Sequence, residues 1–190
     1  MGNKITYLHG HTAQVSNIVL CPEYSVAVTA SEDGSIASWD LHSLQLLHHV
    51  ALQRPNTVYF PLRIAVSAKS GDVAVSSGDI VTLFTINLYK VADCSIGEKV
   101  TAIAFSNQEE GVSTNCVALG LQSGMVKLYS SLDLLHLRDI PGMPNSPVTA
   151  LAYSEDSQNL AIATMDGVVT ILEKSGNRGL NRTPKYVTLQ

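Results

Sequence analysis

The sequence is poor in basic residues, cysteines and long apolar runs, and each shortage excludes a class of protein. Twelve Lys and Arg against sixteen Asp and Glu give a formal net charge of -4, so the clustered positive surface of a nucleic-acid-binding protein is not expected. Cys21, Cys94 and Cys116 lack the spacing of a metal site, which favours free thiols in a reducing compartment. No stretch approaches a secretory signal or a membrane span. These shortages predict a cytoplasmic protein without direct membrane insertion.

The motifs of common catalytic and nucleotide-binding sites are also missing. The sequence contains no GxGxxG loop, no GxxxxGK[ST] loop and no G-x-S-x-G elbow. His9 and His11 are close enough in sequence to share a metal ion, but no third ligand follows at a suitable spacing. Acidic pairs fall in predicted turns, where solvated carboxylates are ordinary. We therefore predict no catalytic residue, no metal and no cofactor, and we expect that the protein is not an enzyme.

What the sequence does contain is a repeat. Four segments share an alternating strand, a polar turn, a second apolar strand, a tight turn and a third strand. They open at Val15, Leu62, Val100 and Val148, at intervals near the roughly 40–50 residues of a propeller blade. The last two segments match most closely, with VTAIAFS in one against VTALAYS in the other. No segment has helical periodicity, so the pattern predicts an all-β fold.

The first segment carries a specific signature. It contains a Gly-His pair, an Asp-Gly pair in a turn, and Trp-Asp at the end of its third strand, at Gly10-His11, Asp33-Gly34 and Trp39-Asp40. This arrangement resembles the WD repeat, which implies a β-propeller of about four blades here, each with four antiparallel strands, in an incomplete ring. The resemblance also implies a structural hydrogen-bond chain within the first blade, formed by His11, Ser31, Asp33 and Trp39.

The other three segments depart from this signature. All three lack the Gly-His pair, and the position of the tryptophan is taken by Phe84, Tyr129 and Leu172. We therefore expect these blades to be held by apolar packing alone. The predicted blade limits are about 4–50, 51–97, 98–140 and 141–173, within a propeller region 1–173. The tail 174–190 matches no blade and is a candidate for disorder.

A narrower resemblance starts from the third segment. The run Ala104–Ser113, followed by Leu128-Tyr129-Ser130, resembles the C-terminal propeller of BEACH-domain proteins. That resemblance implies a non-catalytic scaffold for protein–protein interaction in vesicle and lysosome trafficking. It also implies BEACH-type domains upstream in the parent protein, through which the chain would lie at endosomal or lysosomal membranes. The alternative is a WD-repeat adaptor of another complex, such as a ubiquitin-ligase substrate receptor.

Partner-binding residues follow from the same resemblance. WD-repeat proteins bind partners on the face formed by the loops between blades and by the turns between second and third strands. The residues expected on that face are Gln14, Ser16, Glu32, Lys99, Thr101, Gln122, Thr149 and Met165. The partners are expected to be proteins, and the sequence does not identify them. With one Trp, three Phe and seven Tyr, the chain has few aromatics for a sugar-binding platform.

Overall fold

The computed structural model describes residues 5–52, 62–108, 115–140, 146–173 and 185–187, and it contains four antiparallel sheets of four strands. Blade 1 contains β1 (Val15–Cys21), β2 (Val26–Ser31), β3 (Ser35–Asp40) and β4 (Leu46–Ala51). Blade 2 contains β5 (Arg63–Val66), β6 (Val73–Ser77), β7 (Ile80–Phe84) and β8 (Lys90–Ser95). Blade 3 contains β9 (Val100–Phe105), β10 (Cys116–Leu121), β11 (Val126–Ser130) and β12 (His136–Ile140). Blade 4 contains β13 (Val148–Tyr153), β14 (Asn159–Thr164), β15 (Val169–Glu173) and β16 (Lys185–Val187).

The predicted all-β architecture of four blades is confirmed. The only helix in the described ranges is a single 3-10 turn, Pro22–Tyr24. The strand β16 lies in the tail 174–190, which sequence analysis assigned to no blade, and it pairs with β15 as the fourth strand of blade 4. The remainder of that tail lies outside the described residues, as do residues 109–114 of the third segment.

Strand registers align the four blades residue by residue. Each residue in the tryptophan position pairs with an apolar residue of the second strand: Trp39 with Ala27, Phe84 with Val73, Tyr129 with Val117, and Leu172 with Leu160. The tight turns follow the predicted chemistry as well. Gly34 has a φ of 78° and Gly167 a φ of 85°, a left-handed conformation that side chains with a Cβ adopt only at a cost.

The hydrophobic core lies between blades. Because strand side chains alternate, blades 2 and 3 each bury one face against the preceding blade and the other face against the following one. One buried cluster includes Ile36 of blade 1 and Val75 of blade 2, and a second includes Leu83 of blade 2 and Leu119 of blade 3. A third cluster contains residues of blades 3 and 4. A fully buried side chain of this kind contributes about 1.5–3 kcal/mol, so the walls between blades carry most of the stability.

Among the described residues, the two end sheets have no neighbouring sheet on one side, and the four blades do not close a ring. Leu62, Val100 and Val148 are buried at the starts of their blades, whereas the equivalent Val15 is 47% exposed. The difference arises because blade 1 has no preceding blade. At the opposite end, Ile171 of β15 is exposed for the same reason. The incomplete ring predicted from the sequence agrees with this arrangement.

Candidate functional site

His11 connects the loop before β1 to two strands of blade 1. Its Nε2 atom lies 2.7 Å from the Thr29 hydroxyl, and its Nδ1 atom lies 2.9 Å from the Ser35 hydroxyl. The indole N–H of Trp39 donates to the same Thr29 hydroxyl at 2.8 Å, and the Ser35 hydroxyl donates to the Asp33 carboxylate. Five side chains therefore form one continuous hydrogen-bond chain across the blade.

The hydroxyl that accepts from Trp39 belongs to Thr29, so the prediction of Ser31 in this position is wrong. Trp39 stands opposite Ala27 in the β2–β3 ladder, and Thr29 is its diagonal neighbour on the same face. A diagonal neighbour is within reach of an aromatic side chain, whereas Ser31 lies two residues further along the strand. The Ser31 hydroxyl instead accepts a hydrogen bond from the Asp33 N–H at 3.3 Å.

With one direction of donation, every polar group in this series of hydrogen bonds has a partner. The Trp39 indole donates to Thr29, whose hydroxyl donates to His11 Nε2, and His11 Nδ1–H donates to Ser35. This direction requires a neutral imidazole. Burial lowers the pKa of His11 and the nearby His49 ring lowers it further, outweighing the Asp33 carboxylate, which acts to raise it. His11 is therefore neutral at pH 7.

The Asp33 carboxylate ends the chain as its acceptor. Burial acts to raise the pKa of Asp33, but hydrogen bonds from Ser35 and Thr12 together outweigh it and hold that pKa well below its usual range. Both the Thr12 N–H, at 2.8 Å, and the Thr12 hydroxyl, at 3.0 Å, donate to it. The carboxylate thus joins the β2–β3 turn to the loop that precedes the blade.

Gly10 is required beside His11 for a steric reason. A Cβ atom on Gly10 would lie 2.8 Å from Cη2 of the Trp39 indole, which is closer than side chains tolerate. Trp39 is buried, although it lies on the face of blade 1 that has no preceding blade. The Gly-His pair therefore lets the loop cover the indole while His11 bonds to the strands beneath.

A contact between turn and preceding loop recurs in two further blades. Ser123 in the β10–β11 turn donates to Glu98 at 3.0 Å, and the Asp166 N–H in the β14–β15 turn donates to the Ser146 hydroxyl at 3.2 Å. The expectation that only apolar packing holds the blades after the first is therefore wrong for blades 3 and 4. Sequence reasoning missed these partners because Glu98 and Ser146 match no residue of the WD signature.

Most residues predicted for the partner-binding face lie together in pairs along one edge of the blades. The backbone N–H groups that follow the second strands donate to carbonyls of the preceding loops: Glu32 to Gln14 at 2.9 Å, Gln122 to Lys99 at 3.1 Å, and Met165 to Pro147 at 2.9 Å. Gln14, Glu32, Lys99, Gln122, Thr149 and Met165 have exposed side chains, and Ser16 and Thr101 are half-buried. Met165 is 74% exposed, a large apolar side chain presented to solvent.

The other three predicted residues share a structural role. Ser16, Thr101 and Thr149 are each the extra residue of a β-bulge in the first strand of their blade. The Ser16 hydroxyl donates to the Ala30 carbonyl at 3.3 Å, and the Thr101 hydroxyl donates to the Gly120 carbonyl at 3.1 Å. A bulge redirects the side chain of its extra residue, so these three hydroxyl groups occupy equivalent positions in their blades.

The described ranges contain neither a cluster of metal-ligating side chains nor a helix of membrane-spanning length. No group of three His, Cys, Asp or Glu side chains in those ranges is placed to hold a metal ion. Within the same ranges no helix has the length and apolar character needed to cross a bilayer. The predicted partner-binding face presents polar side chains together with the apolar side chain of Met165.

Comparison with known proteins agrees with this description. The family model "WD domain, G-beta repeat" matches residues 2–40 and 136–171. The lysosomal-trafficking regulator of Homo sapiens is 35% identical over 170 residues, which cover 86% of this chain and 4% of that protein. The BEACH domain-containing protein A2 of Arabidopsis thaliana is 23% identical over 142 residues, 73% of this chain and 4% of that protein. The chain thus spans a small part of the length of these relatives.

A solved structure supports the fold independently. The WD40 repeats of RRP9 match with a TM-score of 0.74 at 21% identity, over 94% of this chain and 52% of that one. This level of identity shows a shared fold and nothing more. WD-repeat propellers are typically interaction modules without catalytic activity.

Proposed function

Because this chain is a WD-repeat region related to the BEACH-domain proteins, we propose that it is a non-catalytic scaffold for protein–protein interaction. The proposed binding surface, called the turn face below, consists of Gln14, Ser16, Glu32, Lys99, Thr101, Gln122, Thr149 and Met165. Its partners are other proteins. Nucleic acid is a poor fit because the chain carries a net charge of -4.

The repeated backbone geometry of the turn face carries this proposal. The N–H groups of Glu32, Gln122 and Met165 are each tied to a carbonyl of the preceding loop, while their side chains are exposed. A side chain on an immobilised backbone loses less conformational entropy on binding than one on a free loop. Three blades therefore present pre-organised side chains in the same direction, as a docking surface requires.

The proposed cellular role is in vesicle and lysosome trafficking. It rests on similarity to the lysosomal-trafficking regulator, of which this chain covers only 4%. In the parent protein, we propose that BEACH-type domains lie upstream. The propeller would then act in the cytoplasm, peripheral to endosomal or lysosomal membranes through that parent.

The test compares two sets of substitutions at opposite edges of the blades. Glu32→Ala, Gln122→Ala and Met165→Ala together remove side chains of the turn face. The matched control replaces exposed residues in loops and turns at the other edge, Glu23→Ala, Lys69→Ala and Glu155→Ala. Proximity labelling in cells with the parent protein measures which neighbours each variant retains.

The expected result is loss of a defined set of protein neighbours from the turn-face variant and retention of that set by the control. Thermal melts of both variants should match the unsubstituted chain, because surface substitutions usually change stability by less than about 0.5 kcal/mol. An identical set of neighbours for both variants would contradict the assignment of the turn face.

A further inference from the structure

A cavity of about 280 Å³ lies in the wall between blades 3 and 4. Its apolar lining comes from both blades: Leu128, Leu137 and Ile140 on one side, and Tyr153, Leu160 and Leu172 on the other. Polar groups of the lining already have partners. The Cys116 thiol and the Tyr153 hydroxyl lie 3.3 Å apart, and the Ser157 hydroxyl accepts from the Asn107 N–H at 2.7 Å.

The cavity lies where blade 4 has a leucine in place of the aromatic ring of the other blades. Register places Leu172 in the position of Trp39, Phe84 and Tyr129. In the wall between blades 2 and 3, the Tyr129 ring is buried in the core cluster. In the wall between blades 3 and 4, Leu172 is shorter and lines the cavity instead.

We propose that this cavity is a binding site for an aromatic side chain of a partner protein. The inference rests on the proposed function, since it names one chemical feature of the partner. An aromatic ring fits because the cavity lies where an aromatic residue is replaced, and because the Cys116, Tyr153 and Ser157 groups of the lining already have hydrogen-bond partners. Contact with the ring would therefore be mainly apolar.

The position of the cavity at the edge of a sheet favours a ring carried by a peptide. Leu137 and Ile140 belong to β12, which is an end strand in the order β12-β11-β10-β9 of its sheet. Among the described residues, no strand pairs with the outer side of β12. An extended segment that adds along such an edge through backbone hydrogen bonds directs alternate side chains to one face of the sheet. One of these side chains would enter the cavity beside Ile140.

The direct test is a titration of the chain with capped amino acids, followed by NMR of its leucine methyl groups. The probes are N-acetyl-tryptophanamide and N-acetyl-phenylalaninamide, with N-acetyl-alaninamide as the negative control and free indole as a small aromatic without a backbone. The expected result is saturable shifts of the Leu128, Leu160 and Leu172 methyl signals with the aromatic amides, with a Kd on the order of 1 mM for a single side chain. Absence of these shifts would overturn the proposal. Binding of indole but of neither aromatic amide would overturn the inference that a peptide carries the ring.

Substitutions in the cavity test its location. Leu172→Phe restores a ring at this position and should weaken binding of both aromatic amides at least tenfold, while Leu172→Met keeps the volume and should leave binding unchanged. Leu160→Phe fills the cavity from another strand and serves as the second variant if Leu172→Phe does not fold. Unchanged binding by the folded filling variants would overturn the location.

The same variants separate this inference from the proposed function. In proximity labelling, Leu172→Phe should lose at least one neighbour that Leu172→Met keeps. If the turn-face variant loses neighbours while Leu172→Phe loses none, the cavity inference fails and the proposed function stands. If the turn-face variant loses none, the proposed function fails by its own test.

Discussion

The Trp39 indole N–H donates to the Thr29 hydroxyl at 2.8 Å, joining β3 to β2 on the face of blade 1 that none of the other three described blades covers. In the other three blades, strand register places Val75, Leu119 and Ile162 at the position of Thr29. Blade 1 therefore uses hydrogen bonds where the others use apolar contacts. A polar face tolerates partial exposure to water better than an apolar one, which suits a sheet at the end of the arc.

Replacing Thr29 is expected to destabilise the chain more than replacing Ser31. Thr29→Val keeps the shape of the side chain but leaves the Trp39 N–H and His11 Nε2 without their partner, which should cost about 1–3 kcal/mol in the free energy of unfolding. Ser31→Ala removes only the 3.3 Å bond from the Asp33 N–H and should cost less than about 1 kcal/mol. Urea unfolding of the two variants measures the difference, and equal losses would contradict the observed pairing.

Gly10→Ala is expected to destabilise the chain through a clash with Trp39. The new Cβ would lie 2.8 Å from Cη2 of the indole, so the loop or the ring must move, at a cost of about 1–3 kcal/mol. A double-mutant cycle isolates this contact, because Trp39→Phe removes the Cη2 atom. In the Trp39→Phe background, Gly10→Ala should cost at least 1 kcal/mol less than in the native chain, within the roughly 0.5–3 kcal/mol typical of coupled neighbours. Additive losses would show that the two residues do not touch.

Stability should fall as the pH is lowered from 7 towards 5, and His11 should cause part of the loss. The pKa of His11 is lowered in the folded state, so below its ordinary value of about 6.5 the unfolded chain binds a proton that the folded chain resists. The contribution of His11 to the free energy of unfolding is therefore fully present above about pH 6.5, and it decreases as the pH falls towards the lowered pKa. His11→Gln cannot titrate and should flatten the dependence of unfolding free energy on pH between 7 and 5. An unchanged dependence in this variant would contradict the neutral imidazole.

Asp33 should act in a separate, more acidic range. Its folded-state pKa lies below the ordinary value, so its contribution is present above about 3.9 and is lost as the pH falls through the lowered pKa. Lowering the pH therefore destabilises the blade through both residues, but in distinct pH ranges. Asp33→Asn removes the carboxylate that raises the pKa of His11, so the slope between pH 7 and 5 should persist or steepen in this variant, whereas His11→Gln flattens it.

The sequence was sufficient for the fold because the repeat pattern reflects strand alternation directly. Phe84, Tyr129 and Leu172 were assigned to the tryptophan position by pattern alone, and strand register agrees at all three. The hydrogen-bond chain was harder to predict. Choosing between Thr29 and Ser31 requires the cross-strand pairing of Trp39, since both hydroxyls lie on the same face of β2. Counting back from the turn to find the residue diagonal to Trp39 would have selected Thr29.

Contacts between separate parts of the chain could not be read from the sequence. The Ser123 hydroxyl donates to Glu98, although β9 and β10 separate the two residues along the chain. Neither residue belongs to a motif. The cavity in the wall between blades 3 and 4 depends on which side chain each blade presents to the other. The leucine in the aromatic position, Leu172, was visible in the sequence, but the cavity that it lines appears only once the two sheets are packed.

The open face of blade 1 leads to the last prediction, which concerns self-association. Ile18 and Leu20 of β1 are 60% and 59% exposed, on the face that internal blades bury against a neighbour. Exposed apolar residues beside an unpaired sheet face promote association with other chains. We expect the 190-residue chain alone to self-associate or to be marginally stable, and we expect a longer chain with the additional blades of a closed ring to be a stable monomer.

Substitutions distinguish the open face from exposed apolar residues elsewhere. Ile18→Thr with Leu20→Thr should shift the chain towards monomer in size-exclusion chromatography with light scattering, because β-branched threonine suits a strand and removes apolar surface. Leu132→Thr with Leu135→Thr removes two exposed leucines from the β11–β12 loop and should leave association unchanged. If the unsubstituted chain is already a monomer and melts cooperatively at the same temperature as the longer one, then four blades are self-sufficient. In that case the polar chain from Trp39 to Asp33, and not a neighbouring blade, would be what protects the open face of blade 1.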